Sequence, residues 1–178
     1  MGQKKVLCNN WKNRGGIIMM NSKIIMTTAI KTADETMCQG FGGPFGAAIV
    51  DSEGCIVATG SNTVLKDHDP TAHGEINAIR NACKKLGTHD LTGYILYTTA
   101  YPCPMCMSAI MWANIKQVYY GCTAEDTGNI GFRDDFMYDF IENKTYKNAN
   151  ELLTLIPVER ESCLKLFDKY VKLNPTLY

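Results

Sequence analysis

A histidine and a glutamate one residue apart, His73-Gly74-Glu75, stand about thirty residues ahead of a Cys-x-x-Cys pair in Pro102-Cys103-Pro104-Met105-Cys106. This pairing constrains the fold most, because the two stretches can act together only if the chain brings two helix starts face to face. Asp69-Pro70-Thr71 reads as an N-cap followed by proline at the first helical position. It opens a helix with His73 and Glu75 in its first turn, with Ile76, Ile79, Cys83 and Leu86 turned inward and Gly87 at its end. Pro102 delivers Cys103 to the start of another helix, running to about Asn114. Cysteines three apart on a first turn project to the same side, and a helix N-terminus favours their thiolates.

His73, Cys103 and Cys106 form a set of three ligands for one zinc ion per chain, with the fourth tetrahedral corner left for water. Glu75 is not needed for coordination and is placed to move protons. Two other readings use the same cysteines. A thioredoxin-like redox module carries Cys-x-x-Cys after a strand, and a structural-zinc module uses it as half a site. The structural site wants four ligands, and the sequence has no second Cys-x-x-Cys or His pair; a redox pair has no use for His-x-Glu. The combination of H-x-E with P-C-x-x-C is the signature of zinc-dependent hydrolytic deamination of a nucleobase. His68 and His89 fall in polar stretches and read as solvent-facing.

At 178 residues the chain can bury a core of its own, and 46% hydrophobic with 20% charged residues is a globular composition. Lys+Arg and Asp+Glu both number 18, and this zero balance argues against a nucleic-acid substrate. Eight cysteines scattered through a chain of this size are not a small secreted disulfide framework. No apolar h-region follows Met1-Gly2-Gln3-Lys4-Lys5 and no apolar run approaches a membrane span, so a cytoplasmic protein is expected.

Residues 1–21 show little periodicity and read as a flexible N-terminal extension, leaving 22–178 as one catalytic domain. Ser22 reads as the N-cap of a helix carrying Ile24, Ile25, Thr28, Ala29, Thr32, Ala33 and Met37, stopped at Gly40. Gly40 to Gly46 is either a tight entry into a strand or a close backbone approach to a flat ligand, with Phe45 as the stacking face. Ala47–Val50 pairs with Cys55–Gly60 across Asp51-Ser52-Glu53-Gly54, and a loop runs from Asn62 to Asp69. Tyr94–Thr99 and Ile115–Gly121 are further strands, and helices are expected over Phe132–Ile141 and Glu159–Lys172. The last should face Leu164, Phe167 and Val171 inward. Strands alternating with helices imply an α/β sandwich whose helix-linked strands are parallel.

The stretches Gly43 to Ala47, Asn62, Asp69 to Glu75, Pro102 to Cys106, Ala109 to Ala113 and Gly131 to Phe136 resemble the cytidine-deaminase-like superfamily. Within it they are most similar to the small bacterial-type guanine deaminases. The resemblance implies a three-layer α/β/α sandwich around a five-stranded mixed sheet, and guanine to xanthine plus ammonia as the reaction. Cytosine, guanosine or another aminated heterocycle are the alternative substrates. It implies that Asp134 is a second proton carrier facing the leaving amine, that Asn62 and the amide of Gly74 read the base, and that Phe45 stacks on it. It also implies a homodimer in which the segment of about 142–178 is swapped and Tyr178 closes the pocket. Local chemistry alone leaves Asp134 as a helix cap, Asn62 as a turn residue and Tyr178 as a frayed terminus. Two positions depart from the family pattern. Tyr101 stands where an acidic residue commonly precedes Pro-Cys, and Gly74 stands where alanine is usual, a feature shared with yeast-type cytosine deaminases.

Overall fold

The computed structural model describes residues 16–132, 134, 137–138 and 154–174. Its elements run α1 (Gly16–Met37), β1 (Gly46–Val50), β2 (Ile56–Ser61), α2 (Val64–Asp67), α3 (Gly74–Leu86), β3 (Ile95–Ala100), α4 (Pro104–Trp112), β4 (Gln117–Cys122), α5 (Ala124–Asn129), β5 (Thr154–Pro157) and α6 (Arg160–Lys172). The five strands form one mixed sheet in the order β2-β1-β3-β4-β5. β1 is antiparallel to both β2 and β3, whereas β3–β4 and β4–β5 are parallel, as expected of strands joined through helices. The expected α/β/α sandwich with a five-stranded mixed sheet is what the chain forms.

Alternation along each strand divides the core in two. Ala47, Ile49, Leu96 and Val118 face α3 and α4, where they meet Ala78, Ala82 and Ile110. Ala48, Val50 and Tyr97 face the other way, against Ile25, Met26 and Ala29 of α1 and Cys163 and Phe167 of α6.

Several expectations need correction. α1 starts at Gly16, so Ser22 is not its N-cap; it is buried in mid-helix, with its hydroxyl 3.0 Å from that of Tyr97. Residues 16–21 are therefore helical, and the rest of the expected extension lies outside the described residues. α3 starts at Gly74 with His73 as its N-cap, four residues after the expected Asp69. Asp69 instead folds a local turn, its carboxylate accepting from both the amide and the hydroxyl of Thr71. The buried face of α3 includes Ala78 and Ala82, and Leu86 is 37% exposed. On α6 the buried stripe runs through Cys163, Leu166, Phe167 and Tyr170, leaving Val171 outside, because the aromatic rings cover more apolar surface than valine. The expected 62–69 loop contains α2, and a further short helix, α5, follows Cys122. Six described cysteines are free, in keeping with the scattered cysteine pattern, and Cys55 is disulfide-bonded.

β2 is an edge strand, and α3 closes its open side. Asn77, Asn81 and Lys85 donate to the carbonyls of Ser61, Thr59 and Val57 at 2.9, 2.9 and 2.6 Å. The two repeats match: four helical residues rise about 6 Å, and two strand residues advance about 6.6 Å. Side chains at every fourth helical position thus reach every second carbonyl, and no row of open acceptors is left for another strand.

Candidate active site

The zinc-ligand candidates stand where two helices begin. His73 and Cys103 are the N-caps of α3 and α4, both extended (ψ 159° and 165°), and Cys106 lies in the first turn of α4. The parallel β3–β4 crossover brings the start of α4 to the end of the sheet beside α3. His73 Nδ1 lies 3.6 Å from the sulfur of Cys103 and 3.6 Å from that of Cys106. All three ligand atoms fall within 4.8 Å of one another. A tetrahedral centre with ordinary zinc bond lengths sets its nitrogen and sulfur ligands about 3.5 Å apart. The three side chains therefore fit one zinc ion without rearrangement.

Electrostatics favour a cation here. The Cys106 thiol shares its proton with Cys103, and this hydrogen bond, with help from His73, brings Cys103 down to about 4. The same sharing, and then burial, pushes Cys106 well above the usual thiol range. Burial draws His73 toward its neutral form, but the Cys103 sulfur outweighs it and the imidazole sits above its ordinary value. A divalent ion replaces these protons at the ligands.

Glu75, in the first turn of α3, is 5% exposed. Its Oε1 accepts from the Thr98 hydroxyl at 3.0 Å, and Oε2 lies 3.5 Å from the Cys106 sulfur. Burial first, and then the Cys103 charge, raise its carboxyl above the usual carboxylate range. This combination suits a group that takes and returns a proton near neutrality.

The site opens into a cavity of about 350 Å³, lined among others by Phe45, Asn62, His73, Glu75, Tyr101 and Asp134. Asn62 is 1% exposed; its Oδ1 accepts from the amide of Val64 at 3.1 Å, and its Nδ2 has no partner among the described residues. A buried donor without an acceptor is costly, so this amide is set to meet a ligand oxygen. The Phe45 ring stands edge-on to Phe132, centroids 4.8 Å apart, and to Phe167 at 5.9 Å. Gly74 is required where it stands, because a Cβ there would meet the Phe45 carbonyl oxygen at 2.8 Å. Gly42 is likewise fixed: a Cβ there would lie 2.2 Å from Asn62 Oδ1. Tyr138 ties the cavity wall to the Cys-x-x-Cys turn by donating to the Pro102 carbonyl at 2.7 Å.

The structure places Phe45, Asn62, His73, Glu75, Cys103 and Asp134 on one cavity, with Cys106 buried just behind its wall. The Gly74 backbone lies against the Phe45 strap, and Tyr178 falls outside the described residues. His68 and His89 are exposed, away from the ligand set. Sequence reasoning missed the role of Thr98, although its alternation with Leu96 places it on the α3 face of β3. It also missed the walls supplied by Val64 and Thr127, which carry no motif, and by Met105, an unspecified position inside the Cys-x-x-Cys pair.

The fold and this site define a zinc-dependent hydrolytic deaminase. Residues 19–122 match the family described as the cytidine and deoxycytidylate deaminase zinc-binding region, and the chain belongs to that family. It is 47% identical over 123 residues to a guanine deaminase of Bacillus subtilis, covering 69% of this chain and 78% of the relative. The crystal structure of Bacillus subtilis guanine deaminase superposes with a TM-score of 0.65 at 39% identity, covering 83% of this chain and 93% of that one. A tRNA-specific adenosine deaminase of Haemophilus influenzae is 36% identical over 129 residues, covering 72% and 74%. A crystal structure in complex with 2,6-diaminopurine gives a TM-score of 0.72 at 26% identity, covering 88% and 85%.

Proposed function

We propose that the chain converts guanine to xanthine and ammonia. The observation that carries this reading is the presence, in one cavity with Glu75, of the Asp134 carboxylate and of an Asn62 amide unpartnered among the described residues. Guanine offers a carbonyl for an amide donor and an exocyclic amine for a carboxylate, whereas adenine has no carbonyl. A volume of about 350 Å³ is near the lower end for ligand pockets and suits a free base. Phe45 and Phe132 supply apolar faces for a purine. The likeness to the Bacillus subtilis enzyme supports the same substrate.

Zinc held by His73, Cys103 and Cys106 supplies a water nucleophile at neutral pH by lowering its pKa toward about 7. Asn62 orients the base, with Phe45 against its face. Glu75 is fixed at Oε1 by Thr98, so its Oε2 is the atom that exchanges protons. That oxygen takes one water proton and delivers it to the adjacent ring nitrogen as the C–O bond forms, then passes the second water proton to the amine as the C–N bond breaks and ammonia leaves. Asp134, in the lining of the same cavity, is the second carboxylate that serves this amine. Burial of Glu75 keeps bulk water from competing for the proton.

A homodimer and a cytoplasmic location belong to the same proposal. Met111 and Trp112 of α4, 39% and 85% exposed, offer apolar surface for a second copy. No described helix is long and apolar enough to cross a membrane. Swapping of the segment of about 142–178, with Tyr178 closing the neighbouring pocket, would make turnover depend on the chain end. An ammonia-release assay on zinc-loaded protein tests the whole. Guanine should be turned over at least tenfold faster than cytosine, guanosine or adenine; preference for another of these overturns the substrate assignment.

A further inference from the structure

We infer that Asn77 is a positioning residue for base recognition, a clamp that sets the direction of the Asn62 amide relative to His73. The inference rests on the assignment of Asn62 as a group that reads the base. Asn77 lies one turn into α3 and outside the cavity lining. Its Nδ2 donates to the Ser61 carbonyl at 2.9 Å and the Thr63 hydroxyl at 2.9 Å, the residues on either side of Asn62. The same nitrogen lies 3.4 Å from the carbonyl of Ala72, the residue before His73. Its Oδ1 faces the Arg80 guanidinium at 3.4 Å, which can only donate, so the orientation of the amide is fixed.

The surrounding backbone shows why one side chain suffices. The Thr63 amide donates to the Ala72 carbonyl at 2.9 Å, and the Asn62 amide donates to the Phe45 carbonyl at 2.8 Å. Residues 61–63, the approach to the zinc-ligand candidate His73, and the Phe45 strap are therefore linked through a few bonds that meet at Asn77. Asn62 itself has little freedom, because Val64 holds its Oδ1 and Gly42 closes behind it. Its Nδ2 points wherever residues 61–64 aim it. Asn81 and Lys85 make equivalent bonds to Thr59 and Val57, farther along the strand from Asn62. They serve as internal controls for a purely structural effect.

The test measures the affinity of zinc-loaded protein for xanthine, which is not turned over, by equilibrium dialysis, together with KM and kcat for guanine. Asn62→Ala should raise the xanthine Kd about tenfold, the size of one lost hydrogen bond. Asn77→Ala should raise it about fivefold, raise KM more than it lowers kcat, and keep one zinc per chain. In an Asn62→Ala background the same change should add less than about twofold, since there is no amide left to aim. Asn81→Ala should leave the Kd unchanged. Thr63→Val, which removes one acceptor near the surface, should give a smaller rise with the same dependence on Asn62, and supplies the test if Asn77→Ala does not fold. Equal losses in both backgrounds, or a similar loss from Asn81→Ala, overturn the clamp. An unchanged Kd for Asn62→Ala instead overturns the base-reading role on which the clamp rests.

Discussion

The hydroxyl of Thr98 donates to Oε1 of Glu75 at 3.0 Å, joining the middle strand of the sheet to the first turn of α3. Both residues are buried, Thr98 completely. The bond holds Oε1, and Oε2 is left facing the Cys106 sulfur at 3.5 Å, on the side of the metal-ligand candidates. Thr98→Val keeps the shape and removes the donor. A hydrogen bond to a charged group is worth about 1.5–3 kcal/mol, so kcat should fall roughly tenfold to a hundredfold with zinc content unchanged. Serine at this position should restore most of the rate. A valine variant with the original kcat would show that Glu75 needs no such support.

Glu75→Gln retains the shape of the side chain and removes its proton chemistry. The ligand set does not include Glu75, so metal analysis should still find one zinc per chain. Turnover should fall by roughly 10²–10⁴, the usual contribution of a general acid–base group. Ammonia release near the original rate would reassign the proton carrier.

Gly74→Ala introduces a methyl group 2.8 Å from the Phe45 carbonyl oxygen and 3.2 Å from Gly46 Cα. Both neighbours are backbone, so the strap must move. Overpacking of this kind costs about 1–3 kcal/mol, and a displaced Phe45 should raise KM for the base. Thermal unfolding and Michaelis kinetics check both effects together. An alanine variant with unchanged melting temperature and KM would mean that the strap gives way freely.

Asp126 closes a capping box at the start of α5, accepting from the amide and hydroxyl of Thr123, and also receives Nε and Nη2 of Arg160 at 3.0 and 2.5 Å. Burial opposes ionisation, but these donors prevail and hold its carboxyl below the usual value. A carboxyl depressed in the folded state stabilises above its unfolded pKa of about 3.9, and that stability is lost as pH falls through the folded value. Asp126→Asn should therefore lower the melting temperature at pH 7 by several degrees, from a loss of about 1–2 kcal/mol. The gap from the parent should narrow below about pH 4. A gap independent of pH would show that charge contributes nothing at this junction.

Much of the site was legible in the sequence. Residue type and spacing put His73, Cys103 and Cys106 in reach of one ion, because zinc demands those donors and helix starts present them on one side. Alternation marked the strands, and Gly87 marked the end of α3, where it adopts a φ of 70°. The start of α3 was misjudged because Asp69-Pro70 satisfies local capping rules, whereas the helix begins where His73 leaves the extended region. β5 escaped notice because a four-residue strand carries almost no periodic signal.

The sequence alone determined the chemistry available to this protein: its candidate metal donors, the carboxylate beside them and the alternation of strands with helices are local properties of residue type and spacing. Tertiary structure decided which polar atoms are left without a partner. Thr98 became the support of Glu75 because two distant elements pack together, and the Asn62 Nδ2 is buried, with its oxygen held by Val64, where no described residue offers it an acceptor. Hydrogen-bond satisfaction in a dry cavity depends on everything around it, and no stretch of chain carries that information by itself.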